Sequence, residues 1–316
     1  MKVVLLQPLG IHQTSLDDLA APLIEQGHEF VIHERNDDPD ESIRRLSDAD
    51  VAMIADMPLP GVVIESSACL KMISVAFTGY DHVDMEACDH RNIVVSNCAG
   101  YSTDSVAELT LGLTLAVLRK IVPADGAVRS GGTRMGLPGR ELAGKTVGVV
   151  GTGAIGSRVA QLFRAFGCSV VAFSRTERPE LIDEGIRYAS LEELLAVSDV
   201  VTLHLPGTER TKGLLDAKKL AIMKSSSVLI NTARGVVVDT QALADRLRSG
   251  DLAGAGIDVF DVEPPLPEGH SLLDAPNCVL TPHVAFATAE ALEKRAAMAF
   301  SNVINWLSGT PINVVI

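Results

Sequence analysis

In residues 1–100, short apolar runs alternate with amphipathic stretches. The runs at 2–7, 29–33, 50–55, 72–77 and 92–96 are brief and rich in Val and Ile, which predicts strands. Between them, segments 15–26, 41–47, 61–68 and 83–90 carry apolar residues at helical spacing. Strands that alternate with helices predict a parallel α/β sheet. A longer helix is predicted over 102–119, STDSVAELTLGLTLAVLR, with Ser102 or Thr103 able to cap its start. Residues 121–145 then lack a clear period and hold several glycines and prolines, which predicts a long functional or interfacial connection.

The alternation resumes at Thr146. TVGVVG, SVVAFS, DVVTLHL, SVLINTA, GAGIDVF and CVLTPHV predict six strands, with helical segments between most of them. Six such strands fit the two mononucleotide-binding halves of a doubly wound sheet. A last helix is predicted over about 287–307, followed by a short apolar tail at 311–316. The expected fold class is α/β, with two doubly wound parallel-sheet domains and a cleft between them. One is a flavodoxin-like substrate domain, residues 1–100 plus 287–316, and the other a Rossmann cofactor domain, residues 101–286.

Composition narrows the function. The chain has 316 residues, 47% of them hydrophobic, enough for two domains with ample cores. A net charge of −13 and the lack of a basic run argue against nucleic acid and anionic membrane as partners. Cys69, Cys88, Cys98, Cys168 and Cys278 are odd in number and show no CxxC spacing. Buried free thiols in a reducing compartment are expected, with no metal. The N-terminal apolar run is too short for a signal peptide, and no run approaches the ~20 residues of a membrane span. A cytoplasmic protein is the expectation.

The sharpest motif is GTGAIG at 151–156, between the strand TVGVV and an apolar helix face formed by Ile155, Val159, Leu162, Phe163 and Phe166. Gly151 permits the tight turn, Gly153 a close approach of pyrophosphate, and Gly156 close helix–strand packing. The helix start offers free N–H groups and positive dipole to phosphates. Ligands in such a sheet bind beyond the carboxyl ends of strands. There the sequence places Arg234 after SVLINTA, Asp258 in GAGIDVF with Glu263 following, and His283 after CVLTP. Singly, each has an ordinary explanation, and Glu263 alone reads as a solvated loop acid. Jointly they suit the interconversion of a 2-hydroxy acid and a 2-oxo acid. His283 exchanges the proton, Glu263 supports its imidazolium, and Arg234 holds the carboxylate and polarises the carbonyl.

With these residues placed, the chain resembles the D-isomer-specific 2-hydroxyacid dehydrogenases, of the glyoxylate/hydroxypyruvate reductase kind without a regulatory domain. The resemblance rests on FTGYDHVD (77–84), SVAEL (105–109), GKTVGVVGTGAIG (144–156), HLPGTERTKGLL (204–215), INTARGVVVD (230–239), GIDVFDVEPP (256–265) and TPHVA (281–285). It implies His283 as acid/base, Glu263 as its partner and Arg234 as substrate ligand. Phe77, Thr78 and Gly79 would face the substrate, the latter two offering backbone N–H groups to its carboxylate. Asp258 would contact the nicotinamide carboxamide. Thr103, Ala154, Ile155, Leu205, Pro206, Thr211, Thr232, Ala233, His283 and Ala285 would border the cofactor. The resemblance also implies a homodimer to which residues 121–145 contribute, and a hinge between the domains.

Two departures bear on specificity. Phe77 stands where the family often has Gly. The stretch ADMPLPG at 55–61 carries Asp56 and no nearby Arg, which disfavours a phosphorylated substrate. A small unphosphorylated 2-oxo acid such as glyoxylate or hydroxypyruvate is expected, with a phosphoglycerate dehydrogenase or an NAD(H)-sensing corepressor-like module as alternatives. Formate is disfavoured by Glu263. An L-specific lactate/malate type is disfavoured by a glycine turn so far from the N-terminus. The strand before Ser174, Arg175 and Thr176 lacks the terminal acid that would bind the ribose hydroxyls of NAD. Those three residues can instead bind a 2′-phosphate, so NADP is favoured over NAD.

Overall fold

The computed structural model describes residues 1–316 and divides into two compact units, Met1–Ser102 with Ala287–Ile316, and Thr103–Phe286. The first holds strands β1 (Lys2–Leu5), β2 (Glu29–Ile32), β3 (Val51–Ile54), β4 (Met72–Val75) and β5 (Val94–Ser96). All pair in parallel in the order β2-β1-β3-β4-β5, the flavodoxin-like order. Every residue of β3 and β4 is buried, as continuous apolar runs covered on both faces require. The edge strand β2 is partly exposed.

Local chemistry sets the helices. In Pro39–Leu46, Asp38 accepts from the Asp40 N–H, Pro39 opens the first turn, and Glu41 pairs with Arg44 and Arg45. The last helix, Ala289–Leu307, is capped by Thr288 and buries Phe300 and Val303. Phe30 meets Phe300 edge to face at 5.4 Å, and Ser74 Oγ donates to the Ala299 carbonyl at 2.9 Å. The tail then turns back along β5, where Val315 N–H donates to Val95 O and Val95 N–H to Ile316 O. This antiparallel contact covers the outer edge of β5.

The second unit is a seven-stranded parallel sheet. Its strands are β6 (Thr146–Val150), β7 (Ser169–Phe173), β8 (Arg187–Tyr188), β9 (Val200–Leu203), β10 (Val228–Asn231), β11 (Gly254–Ile257) and β12 (Cys278–Leu280). Their order is β12-β11-β10-β9-β6-β7-β8, so the chain reverses direction across the sheet between β6 and β9. The six expected strands become seven because β8 has two residues, too few to show a period. The helix Thr103–Leu118 lies against β10 and β11. Gly256 and Gly254 make room for it, since a Cβ there would come 3.0 Å from Leu113 Cβ and 2.6 Å from Val117 Cγ1.

A second difference lies in residues 121–145. Ile121–Arg129 is a helix, set off from its predecessor by Lys120 at φ 52°. None of its residues is buried, so its own sequence carries no buried apolar stripe to reveal it. No helix of the protein is long and apolar enough to cross a membrane. The five cysteines are free, and Cys88, Cys98 and Cys168 are buried, but Cys69 is exposed and Cys278 only partly covered. Burial pushes Cys88 and Cys168 up to about 11, and Cys98 and Cys278 up to about 12, so these four stay as unreactive thiols.

Phe163 is the pivot of the second unit's core, fully buried beside Val147, Val149, Val159 and Val170. Phe163→Ala is expected to cost ~3–5 kcal/mol, read as a lower denaturant midpoint in chemical unfolding. An unchanged midpoint would contradict this packing.

Candidate active site

β6 delivers the glycine turn. Gly151 adopts φ +96°, and a Cβ on it would lie 2.4 Å from the His204 carbonyl oxygen. At Gly156 a Cβ would lie 1.9 Å from the Gly151 oxygen, so the helix Ala154–Ala165 can sit this close only on glycine. A Cβ on Gly153 would instead meet nothing within 4 Å, which leaves the outer side of the turn open. Gly153 caps this helix without any side-chain hydrogen bond. The first-turn N–H groups of Ala154, Ile155 and Gly156 therefore face the open side at the positive end of the helix. This donor set fits the pyrophosphate of a dinucleotide. His204 and Leu205 back the turn. Desolvation pushes His204 down to about 3, and its Nε2 lies 2.9 Å from Thr202 Oγ1.

Apart from Thr103, the residues expected around a cofactor stand at or just past the carboxyl ends of the strands of this one sheet. Gly151 N–H donates to Phe173 O at 2.7 Å, so Ser174, Arg175 and Thr176 leave β7 beside the turn. Arg175 and Thr176 are exposed, and Arg175 makes no bond to the protein. Pro206 and Thr211 belong to one loop after β9, held by Thr211 Oγ1 donating to the Pro206 carbonyl at 2.5 Å. Thr232 Oγ1 meets Thr110 Oγ1 at 2.8 Å, and Ala233 N–H donates to Asn231 Oδ1 at 3.1 Å. Thr103 opens the helix Thr103–Leu118.

Arg234 follows β10 in extended backbone. Its turn is framed by Asn231, whose Nδ2 donates to the Arg234 carbonyl at 3.0 Å. The next residue must be glycine, because a Cβ on Gly235 would lie 1.9 Å from the Phe260 carbonyl carbon. That contact draws the end of β10 against the end of β11. Neither Asn231 nor Gly235 carries a local sequence signal for these contacts, and the Gly235 contact joins segments distant along the chain.

Glu263 and His283 come together, with Glu263 Oε2 3.1 Å from His283 Nδ1. Both side chains remain partly open, 51% and 33% exposed, as groups that must meet a substrate require. Phe286 packs edge to face on the His283 ring at 5.8 Å. His283 itself has φ 54°, a left-handed conformation uncommon outside glycine. Its backbone is held there by His283 N–H donating to Asp258 O at 2.8 Å.

Asp258 is turned inward, onto the loop that follows β12. It is fully buried. Its carboxylate accepts from Thr281 Oγ1 at 2.6 Å, Val284 N–H at 2.9 Å and Ala285 N–H at 2.9 Å. These donors bracket His283, so the carboxylate shapes the loop that presents the imidazole. The sequence flagged Asp258 but not these partners.

In the first unit, Phe77, Thr78 and Gly79 follow β4. The amide N–H groups of Thr78 and Gly79 donate to no acceptor in the protein, while Asn97 Nδ2 donates to Thr78 O at 2.8 Å. The half-buried Phe77 ring does not stand free. It lies 4.8 Å from the Arg295 guanidinium carbon and packs edge to face on Tyr101 at 6.0 Å. The expectation that Asp56 lacks a nearby Arg is corrected. Arg35, in the segment that follows β2, pairs with Asp56 at 2.8 Å, and Gln7 donates to the same oxygen at 2.7 Å. Burial works to raise Asp56, but these donors and the Arg35 charge outweigh it and hold the carboxyl below its usual range. Parallel strands bring residues 35 and 56 side by side, which linear distance conceals.

Comparison with known proteins agrees with this geometry. Residues 111–285 match the family described as D-isomer specific 2-hydroxyacid dehydrogenase, NAD binding domain. A glycerate dehydrogenase of Methylorubrum extorquens is 39% identical over 91% of this chain and 92% of its own. A glyoxylate reductase of Thermofilum pendens is 38% identical over 91% of this chain and 88% of its own. Among solved structures, an acyclic imino acid reductase in complex with NADPH and D-Arg superposes with a TM-score of 0.90 at 32% identity, covering 100% of both chains.

The buried carboxylate gives a direct test. Asp258→Asn keeps an acceptor for Thr281 and Val284 but sets an NH2 group against the Ala285 N–H. A loss of ~1–3 kcal/mol in unfolding free energy is expected. Wild-type stability in this variant would show that the three bonds do not hold the loop.

Proposed function

The chain belongs to the D-isomer-specific 2-hydroxyacid dehydrogenase family, and from that premise we propose that it reduces a small unphosphorylated 2-oxo acid to the D-2-hydroxy acid, with NADPH preferred over NADH. The observation that carries the reading is the Glu263–His283 contact at 3.1 Å, on the same sheet edge as Arg234 and the glycine turn. The protein is an oxidoreductase acting on CH–OH groups with a nicotinamide cofactor, which supplies the hydride when bound. His283 donates the proton to the carbonyl oxygen that becomes the hydroxyl. Glu263 stabilises the imidazolium before that transfer and keeps Nδ1 engaged, so that Nε2 faces the substrate. Arg234 holds the carboxylate and draws electron density from the carbonyl. Asp258 keeps His283 in its left-handed turn. Thr78 and Gly79 are assigned to the substrate carboxylate through their uncommitted N–H groups.

The small substrate is supported by the relatives, a glycerate dehydrogenase and a glyoxylate reductase. The Asp56 charge argument does not support it, since Arg35 neutralises that group. The NADPH preference is supported by the exposed, unengaged Arg175 at the end of β7 and by the absence of an acid there. Exposed Ile121, Val122 and Val128, on a helix with no buried residue, support a homodimer through this element. Val128→Asp should then shift the sedimentation coefficient from dimer to monomer, and a wild type that sediments as a monomer would end that assignment.

Steady-state kinetics with a panel of 2-oxo acids tests the activity. Glyoxylate or hydroxypyruvate should exceed 3-phosphohydroxypyruvate in kcat/KM, and the reverse order would overturn the substrate reading. His283→Asn should abolish turnover while cofactor binding survives. Glu263→Gln should lower kcat, because a neutral amide in place of the carboxylate no longer supports the His283 ring through Nδ1, and a wild-type kcat would sink the pairing. Arg234→Ala should raise KM and lower kcat together.

A further inference from the structure

Arg178 is not part of the motif that selects the cofactor in the reading above, yet it is the arginine the fold holds in place. It is exposed, at the end of the segment that follows β7. Its Nε donates to the carbonyl oxygen of Thr152, inside the glycine turn, at 2.6 Å. Its backbone N–H donates to the Tyr188 hydroxyl at 3.1 Å, and that hydroxyl donates onward to Thr152 Oγ1 at 3.0 Å. Thr152 is itself 2% exposed, and its carbonyl also accepts from Ser157 Oγ at 3.1 Å. Tyr188 comes from β8, the two-residue strand paired with β7 at Ala172. One edge strand, one turn and one segment thus converge on a single arginine, Tyr188 holding its backbone N–H and Thr152 its guanidinium.

This anchoring has a chemical consequence. An arginine presents five N–H donors in a rigid plane. Once Nε is fixed on Thr152, the plane of the group is set, and Nη1 and Nη2, which bond to nothing in the protein, form a two-pronged donor beside the turn. Such a fork matches an oxyanion with two adjacent oxygens, above all a phosphate. Glu177 and Glu180 flank the segment but form no ion pair with Arg175 or Arg178, so neither arginine is neutralised by its neighbours. Arg175, with no bond to the protein, must be ordered by its ligand and loses side-chain freedom on binding. Arg178 is ordered in advance.

We propose that Arg178 is a specificity-determining residue of the cofactor site: braced by Thr152 and Tyr188, its guanidinium gives the 2′-phosphate of an adenosine dinucleotide a second cationic contact beside Arg175. Tyr188 is a positioning residue for it. The inference rests on the NADPH-linked reading and deepens it.

Calorimetric titration of the full-length protein with adenosine 2′,5′-bisphosphate and with adenosine 5′-monophosphate isolates the 2′-phosphate from hydride transfer. The wild type should bind the bisphosphate the more tightly. Arg178→Leu should lose at least about tenfold of that preference, the low end of a hydrogen bond to a charged group, with monophosphate affinity unchanged. Tyr188→Phe should lose part of the same preference, and Arg178→Lys should recover little of it, because an ammonium lacks the fork. Equal weakening of both nucleotides in Arg178→Leu would assign Arg178 to the turn or the pyrophosphate and overturn the proposal, while leaving NADPH preference intact. No change in either would also overturn it. Equal binding of both nucleotides by the wild type would end the NADPH reading, and this inference with it. An unaltered preference in Tyr188→Phe would remove Tyr188 from the account.

Discussion

A carboxylate that reaches no solvent must find its donors in the protein, and the arrangement around Asp258 follows from that requirement. With Thr281, Val284 and Ala285 all turned onto one side chain, the loop after β12 has little freedom left. His283 lies within that stretch and takes a left-handed conformation that few residues other than glycine adopt. The imidazole then meets Glu263. Deep burial of one acid thereby governs the aim of a partly exposed base. The proton-handling group is only as well placed as the hydrogen bonds behind it.

The glycine turn obeys a similar logic with sterics in place of hydrogen bonds. The approach of Gly156 to the Gly151 carbonyl leaves no room for even one methyl group. That closeness directs the helix Ala154–Ala165 so that its uncapped start faces open space at Gly153. Thr152 lies between the two glycines and is gripped from the far side by Tyr188 and Arg178. The turn is therefore set from within by small residues and from without by a polar brace.

Much of this was legible in the sequence because its signals are local. A strand, a glycine turn and an amphipathic helix are contiguous in 146–165 and reveal each other. Arg234, Glu263 and His283 were reachable through one topological rule about strand ends. What escaped depended on contacts across the chain. Arg35 and Asp56 meet because β2 and β3 flank β1 in parallel, Arg178 meets Thr152 because β7 lies beside β6, and Tyr188 reaches both because β8 lies beyond β7. The helix Ile121–Arg129 escaped for another reason: it buries nothing, so no stripe marks it. Asp258 was recognised as important, yet a lone Asp just past a strand does not announce which donors of its own loop will turn onto it.

The first unit is written in two pieces, and this has a consequence for how the protein is made. Strands β1 to β5 emerge from the ribosome well before the helix Ala289–Leu307 that supplies Phe300 to their core and the tail that closes β5. Thr103–Phe286, by contrast, is contiguous and has all its strands once residue 286 is out. The order of synthesis therefore inverts the order of completion: the unit begun first is finished second, and its apolar sheet waits, partly uncovered, until residues 287–316 have been made.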